Sequence, residues 1–149
     1  MSVVDKAIQL LPQKRREKLD SFSGHDQIWA VFDKDQHPRV DEAINKAEMA
    51  GILTGYSNPC FELWLVLHYQ DWNRPVHRHE IQAELCKLMP TYSPKKSKMV
   101  DFNAIKDAVQ EAEARAERLE HNRLAEGNSR GNPSTTFFRL TYQIRTHGR

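Results

Sequence analysis

Apolar positions at helical spacing open the chain: Val3, Val4, Ala7, Ile8 and Leu11 share one face and predict a helix that stops at Pro12, whose ring and missing N–H disfavour a helix interior. Lys14-Arg15-Arg16-Glu17-Lys18 then reads as a solvated basic face. The pattern changes at Ile28-Trp29-Ala30-Val31-Phe32, a short run of β-branched and aromatic residues without polar alternation. Such a run predicts a strand buried on both faces, as in a parallel sheet. Val40, Ala43, Ile44 and Ala47 return to helical spacing, Gly51 is the residue expected just past a helix end, and Ile52 to Tyr56 predicts a second strand. Strand, acidic loop, helix and strand in that order make a βαβ unit.

Ser57-Asn58-Pro59 signals the next helix start, and Cys60 to Tyr69 is apolar nearly all round, which predicts a buried helix. Ile81, Leu85 and Leu88 mark a further helix stopped by Pro90, and residues 91–99 form a polar, basic connector. Asp101 caps a long helix with Phe102, Ile105, Val109, Ala112, Ala116 and Leu119 as its inward stripe. After a loop rich in glycine and asparagine, Phe137, Leu140 and Ile144 predict a last helix, with Pro133 and Ser134 or Thr135 at its start. The expected fold class is α/β: a short, mostly parallel sheet flanked by helices, with a helical carboxyl-terminal half. One domain over 1–149 is expected, divided into helix and linker (1–27), βαβα core (28–70) and helical region (71–149).

A length of 149 residues suits one core, and 39% hydrophobic content excludes wholesale disorder. No apolar run is long enough to cross a bilayer, and residues 1–20 lack the apolar middle of a signal peptide, so a cytoplasmic protein with no membrane contact is expected. Cys60 and Cys86 have no CxxC spacing and suggest neither zinc nor redox chemistry. The formal charge of +2 excludes a polycation but hides segregation: Arg130, Arg139, Arg145 and Arg149 give the stretch from Gly127 onward +4, with no acid.

Candidate chemistry gathers behind the first strand. Asp33 and Asp35 lie at the carboxyl end of a sheet strand, the usual ligand edge of an α/β fold, and the pair could hold Mg²⁺ or Mn²⁺ or form a solvated turn that caps the next helix. His37, two residues on, is either an outer donor to phosphate, a general acid, or an exposed loop residue. Glu62 either complements the helix dipole or, if the two strands are neighbours, faces Asp33 and Asp35 as a third carboxylate. Asn58 either positions phosphate or caps the helix. Lys95, Lys96, Lys98 and Arg130 are candidate phosphate and nucleic-acid contacts. His77-Arg78-His79 reads as surface, because i and i+2 on a helix do not share a face, and His68 as core or core margin.

Val31-Phe32-Asp33-Lys34-Asp35-Gln36-His37, the segment Ser57-Asn58-Pro59-Cys60-Phe61-Glu62-Leu63-Trp64-Leu65-Val66-Leu67-His68-Tyr69, and Asn132-Pro133-Ser134-Thr135 resemble the RloB-like family in order and approximate spacing. The resemblance implies a Toprim-like fold, a part in antiviral defence (abortive infection or restriction) and an RloA-like ATPase as partner. It further implies a Mg²⁺-dependent nuclease-type centre acting on RNA or DNA, with Asp33 and Asp35 as the metal pair; with the residue reading above, Glu62 and His37 are then the expected catalytic candidates. The Toprim pattern begins with a strand followed by a glutamate, which residues 1–27 lack. That departure leads to three expectations: a missing first βα unit, Glu62 as its substitute, or a non-catalytic subunit that regulates the ATPase. A lost strand would also expose a sheet edge and invite a partner or a homo-oligomer.

Overall fold

The computed structural model describes residues 2–17, 27–35 and 38–147, the side chains of 12–17 excepted. The chain runs α1 (Val3–Glu17), β1 (Trp29–Asp33), α2 (Val40–Met49), β2 (Leu53–Asn58), α3 (Glu62–Val66), α4 (Arg78–Leu88) and α5 (Phe102–Ile105). A single 3₁₀ turn (Lys106–Ala108) leads into α6 (Val109–Ala125), β3 (Ser134–Thr135) and α7 (Phe137–His147). The architecture is α/β, with a three-stranded sheet in the order β1-β2-β3 and a helical carboxyl-terminal half.

The βαβ unit forms as its pattern requires. Trp29 to Asp33 pair in parallel with Leu53 to Ser57, and α2 makes the crossover. Gly51 ends the helix at φ +74°, a conformation glycine adopts without a Cβ clash. Ala30 projects to one face, where it packs with Val4, Ala7, Ala47 and Ile52 beneath α1 and α2.

The third strand departs from expectation. Ser134 and Thr135 do not start the last helix but pair antiparallel with Asn58 and Ser57. Threonine side chains extend the short ladder: Thr136 Oγ1 accepts from Tyr56 N–H at 3.1 Å, and the Ser57 and Thr135 hydroxyls meet at 2.7 Å. This brings α7 against β2. Gly55 lies beneath α7, where a Cβ would make ordinary van der Waals contact with Phe137 Cδ2 at 3.4 Å and Val31 Cγ2 at 3.5 Å.

Other expectations are corrected. Among the described residues β1 lies at the edge of the sheet, and it is not buried on both faces, Val31 being 39% exposed. α1 continues through Pro12 to Glu17; among its described side chains, Val4 and Ala7 pack with Ile8 and Leu11 against the sheet. The basic cluster 14–18 lies outside the described side chains. The buried helix shrinks to Glu62–Val66, and the long helix from Phe102 is broken by the 3₁₀ turn before α6.

The larger core lies in the helical half, where Leu63, Leu67, Ile81, Leu85, Met89, Ala112, Ala116 and Leu119 pack together. No described helix is long and apolar enough to cross a membrane. Leu85→Ala should therefore cost about 2–5 kcal/mol in urea unfolding, because it empties a fully buried site. Val31→Thr on the edge strand should stay within about 0.5 kcal/mol.

Candidate functional site

Three segments converge at the carboxyl end of β1. The loop after the strand keeps following its neighbour: Lys34 N–H donates to Ser57 O at 2.8 Å and Asp35 N–H to Pro59 O at 3.2 Å. Asp33 Oδ1 accepts the Phe61 N–H at 2.8 Å, which fixes the first aspartate to the start of α3.

Arg78, the first residue of α4, closes the site. Its Nη2 donates to Asp33 Oδ2 at 2.8 Å and Asp35 Oδ1 at 2.6 Å, and its Nε to Asp35 Oδ2 at 2.9 Å. The guanidinium thus grips Asp35 with two parallel bonds and Asp33 with a third, the geometry in which Arg–carboxylate pairs are strongest. All three side chains are mostly covered, with 14% exposure at Arg78, 28% at Asp33 and 24% at Asp35. The expectation that His77-Arg78-His79 is mere surface is corrected: His77 and His79 are exposed, but Arg78 is a site residue. It was missed because its partners lie more than 40 residues away and periodicity reports only neighbours.

A second set of bonds holds this geometry from outside. Asn132 clasps the backbone just before α4, accepting from Val76 N–H at 3.0 Å and donating to Val76 O at 2.7 Å. Lys34 Nζ and Asn58 Nδ2 both donate to Arg130 O, at 2.8 and 3.1 Å. Asn58 is therefore neither the cap of α3, whose N-cap is Phe61, nor turned toward a ligand; it ties β2 to the loop before β3.

Glu62 does not join the aspartates. It is buried, 6% exposed, and its Oε1 accepts from Gln82 Nε2 at 3.1 Å and from the Tyr92 hydroxyl. Burial alone would raise this carboxyl, but hydrogen bonds from Tyr92, the Cys60 thiol, its own backbone and Gln82 prevail and hold it below the ordinary range. Burial and the Glu62 charge together push the Cys60 thiol well up, so it stays protonated. His68 is also buried, its Nδ1 2.9 Å from Trp64 O, and burial lowers its pKa. His37 lies outside the described residues.

The cations expected near the site divide. Lys95 and Lys98 line a surface groove of about 630 Å³ with Arg78, His79, Gln82, Ala83, Cys86 and Pro94. Lys96 is exposed on the same connector but is not part of the groove wall. The Arg130 side chain turns toward α2, to Asn45 at 3.1 Å, Asp41 at 3.5 Å and Glu48 at 3.7 Å. Arg145 pairs with Glu113 at 2.8 Å, and Arg139 with Glu120. The described arginines of the positive carboxyl-terminal stretch, Arg130, Arg139 and Arg145, are thus each paired with acids of the fold.

The implied Mg²⁺ or Mn²⁺ centre does not fit this arrangement as a ready-made site. All four oxygens of Asp33 and Asp35 already accept hydrogen bonds, and half of the pair's charge is compensated by Arg78. Among the described residues no group of three His, Cys, Asp or Glu side chains could hold a metal ion. As built, the Arg78 guanidinium is engaged with the two aspartates, and the exposed Lys95 and Lys98 line the groove beside it.

Compared with known proteins, residues 1–144 match the family model described as "RloB-like protein". No curated protein and no solved structure matches the chain.

The Glu62 network is testable through stability. Tyr92→Phe should cost about 1–3 kcal/mol in urea unfolding, since it removes a donor from a buried carboxylate. Because the folded-state carboxyl lies below its ordinary value near 4.5, its stabilisation is complete above that pH and is lost as pH falls through the folded value. Glu62→Gln should remove this part of the acid-side slope, read as unfolding free energy against pH.

Proposed function

Because the chain belongs to the RloB-like family, we propose that it acts in antiviral defence as a non-catalytic, nucleic-acid-recognising component that regulates an RloA-like ATPase in the cytoplasm. The observation that carries this reading is the Arg78 guanidinium seated across Asp33 and Asp35 beside the groove of Lys95 and Lys98. Lys95 and Lys98 at one edge of the groove attract a phosphodiester backbone, while Arg78 cancels half of the aspartate pair's charge and so weakens the repulsion that two bare carboxylates would exert on it.

The chain's own residues have separate parts in this reading. Lys95 and Lys98 supply flexible point charges that follow a backbone without reading its bases. Arg78 supplies a fixed cation with a planar face, and Asp33 and Asp35 hold it in place. Lys34, Asn58 and Asn132 set the distance between the β1 loop and α4.

A second reading is a Mg²⁺- or Mn²⁺-dependent nuclease in which Asp33 and Asp35 hold the ion and Glu62 and His37 assist catalysis. The position of Asp33 at the carboxyl end of β1 and of Asp35 just past it, at the edge where α/β sheets bind ligands, speaks for it. It requires Arg78 to leave both carboxylates.

Anisotropy titrations with labelled single-stranded RNA and duplex DNA test the first reading. Affinity should fall with salt, and Lys95→Gln/Lys98→Gln should flatten the log–log slope by about 2, roughly one phosphate per lysine. No binding to either nucleic acid would refute it. Metal-dependent cleavage abolished by Asp33→Ala/Asp35→Ala would establish the nuclease instead.

A further inference from the structure

Asp33 and Asp35 have the carboxylates of a hard-cation site, yet they are engaged as a receptor for an internal cation. Arg78 Nη2 lies 2.8 Å from one oxygen of Asp33 and 2.6 Å from one oxygen of Asp35. A divalent ion bridging the pair would need one oxygen of each at roughly 2.1 Å for Mg²⁺. It would therefore compete for the acceptors that Nη2 uses and face the guanidinium charge at close range.

We propose that Arg78 is the resident cation of this site and excludes divalent metal, so that the Asp33–Asp35 pair positions an arginine rather than a metal ion. Three observations support the assignment. The contact is a fork on Asp35 with a third bond to Asp33, so displacing Arg78 breaks all three at once. The guanidinium is largely covered, and a water-filled gap does not separate it from either carboxylate. Its backbone is also anchored: Asn132 clasps Val76 two residues upstream, and the His77 ring accepts the His79 N–H at 3.3 Å at the start of α4. Swinging Arg78 aside would therefore leave both aspartates uncompensated unless the ion itself replaced it. Arginine suits this part because its charge persists at every physiological pH, so the exclusion does not depend on protonation.

The proposal deepens the metal-free reading above, and it holds or fails independently of whether nucleic acid binds. Mn²⁺ titrations of the intact chain, followed by the loss of the free-ion signal in electron paramagnetic resonance, measure it directly. The wild-type chain should leave Mn²⁺ free into the millimolar range. Arg78→Gln, which keeps much of the side-chain volume and removes the charge, should bind about one Mn²⁺ per chain at least roughly tenfold more tightly. Adding Asp35→Asn to that variant should abolish the gain. Arg78→Lys, which retains the charge, should remain metal-free, and it serves as the comparison if Arg78→Gln does not fold by circular dichroism. Stoichiometric Mn²⁺ binding to the wild type that disappears in Asp33→Asn/Asp35→Asn would overturn the proposal. So would a folded Arg78→Gln chain with no gain in Mn²⁺ affinity, or an Arg78→Lys chain that takes up the ion.

Discussion

Asp33 is the joint on which the sheet and the helical half meet. One of its oxygens accepts the Phe61 N–H at the start of α3 and the other accepts Arg78 at the start of α4, so a single carboxylate at the end of β1 orients two helices that share the main core. The constraint behind it is electrostatic. Two aspartates two positions apart, with side chains 28% and 24% exposed, repel each other and lose hydration, and a cation reaching both offsets part of both costs. Arg78 meets that need with one side chain, which lends the junction direction as well as charge balance. The surrounding bonds follow from it: Asn132 fixes the approach to α4, and Lys34 and Asn58 hold the facing loop through Arg130 O.

Glu62 solves a different problem with similar groups. It sits among Leu63, Trp64 and Leu65, where an unpaired charge would be costly, and it remains ionised because Tyr92, Gln82 and Cys60 converge on it. Tyr92 lies past the end of α4 and Gln82 in its middle, so the carboxylate fastens α3 to both the helix and the following connector. Apolar packing alone would leave the sliding of α3 along α4 weakly specified; directional bonds to a buried charge specify it. The same connector then continues into Lys95 and Lys98, and Gln82, which bonds Glu62, lines the groove with them.

Much of this was legible from residues in order, and the remainder failed for identifiable reasons. The βαβ unit was readable because an unbroken apolar run, a helical stripe ending at Gly51 and a second short run are all local signals. Asp33 and Asp35 were singled out by their place after a strand. Arg78 was not, because a salt bridge between residues 45 apart leaves no periodic trace and its flanking histidines looked like surface. Glu62 was recognised as an unusual charge in an apolar helix, but the direction of its side chain depended on Tyr92, which is 30 positions away. β3 is two residues long and is held partly by threonine hydroxyls, below the length at which alternation is visible.

The charge pattern shows most clearly how a linear reading goes astray. The carboxyl-terminal stretch is positive in sequence, and on that basis Arg130 belongs with the lysines as a phosphate contact. In space, Arg130 faces the acids of α2, while Arg139 and Arg145 face Glu120 and Glu113 of α6. A cation already paired contributes little far field, because its partner cancels most of it within a few ångströms and salt screens the rest. The exposed lysines of the 91–99 connector are therefore the cations beside the groove that are best placed to act at a distance. Attraction of a polyanion toward this edge depends on that connector, and the arginines of the last helix serve to fasten α7 to α6.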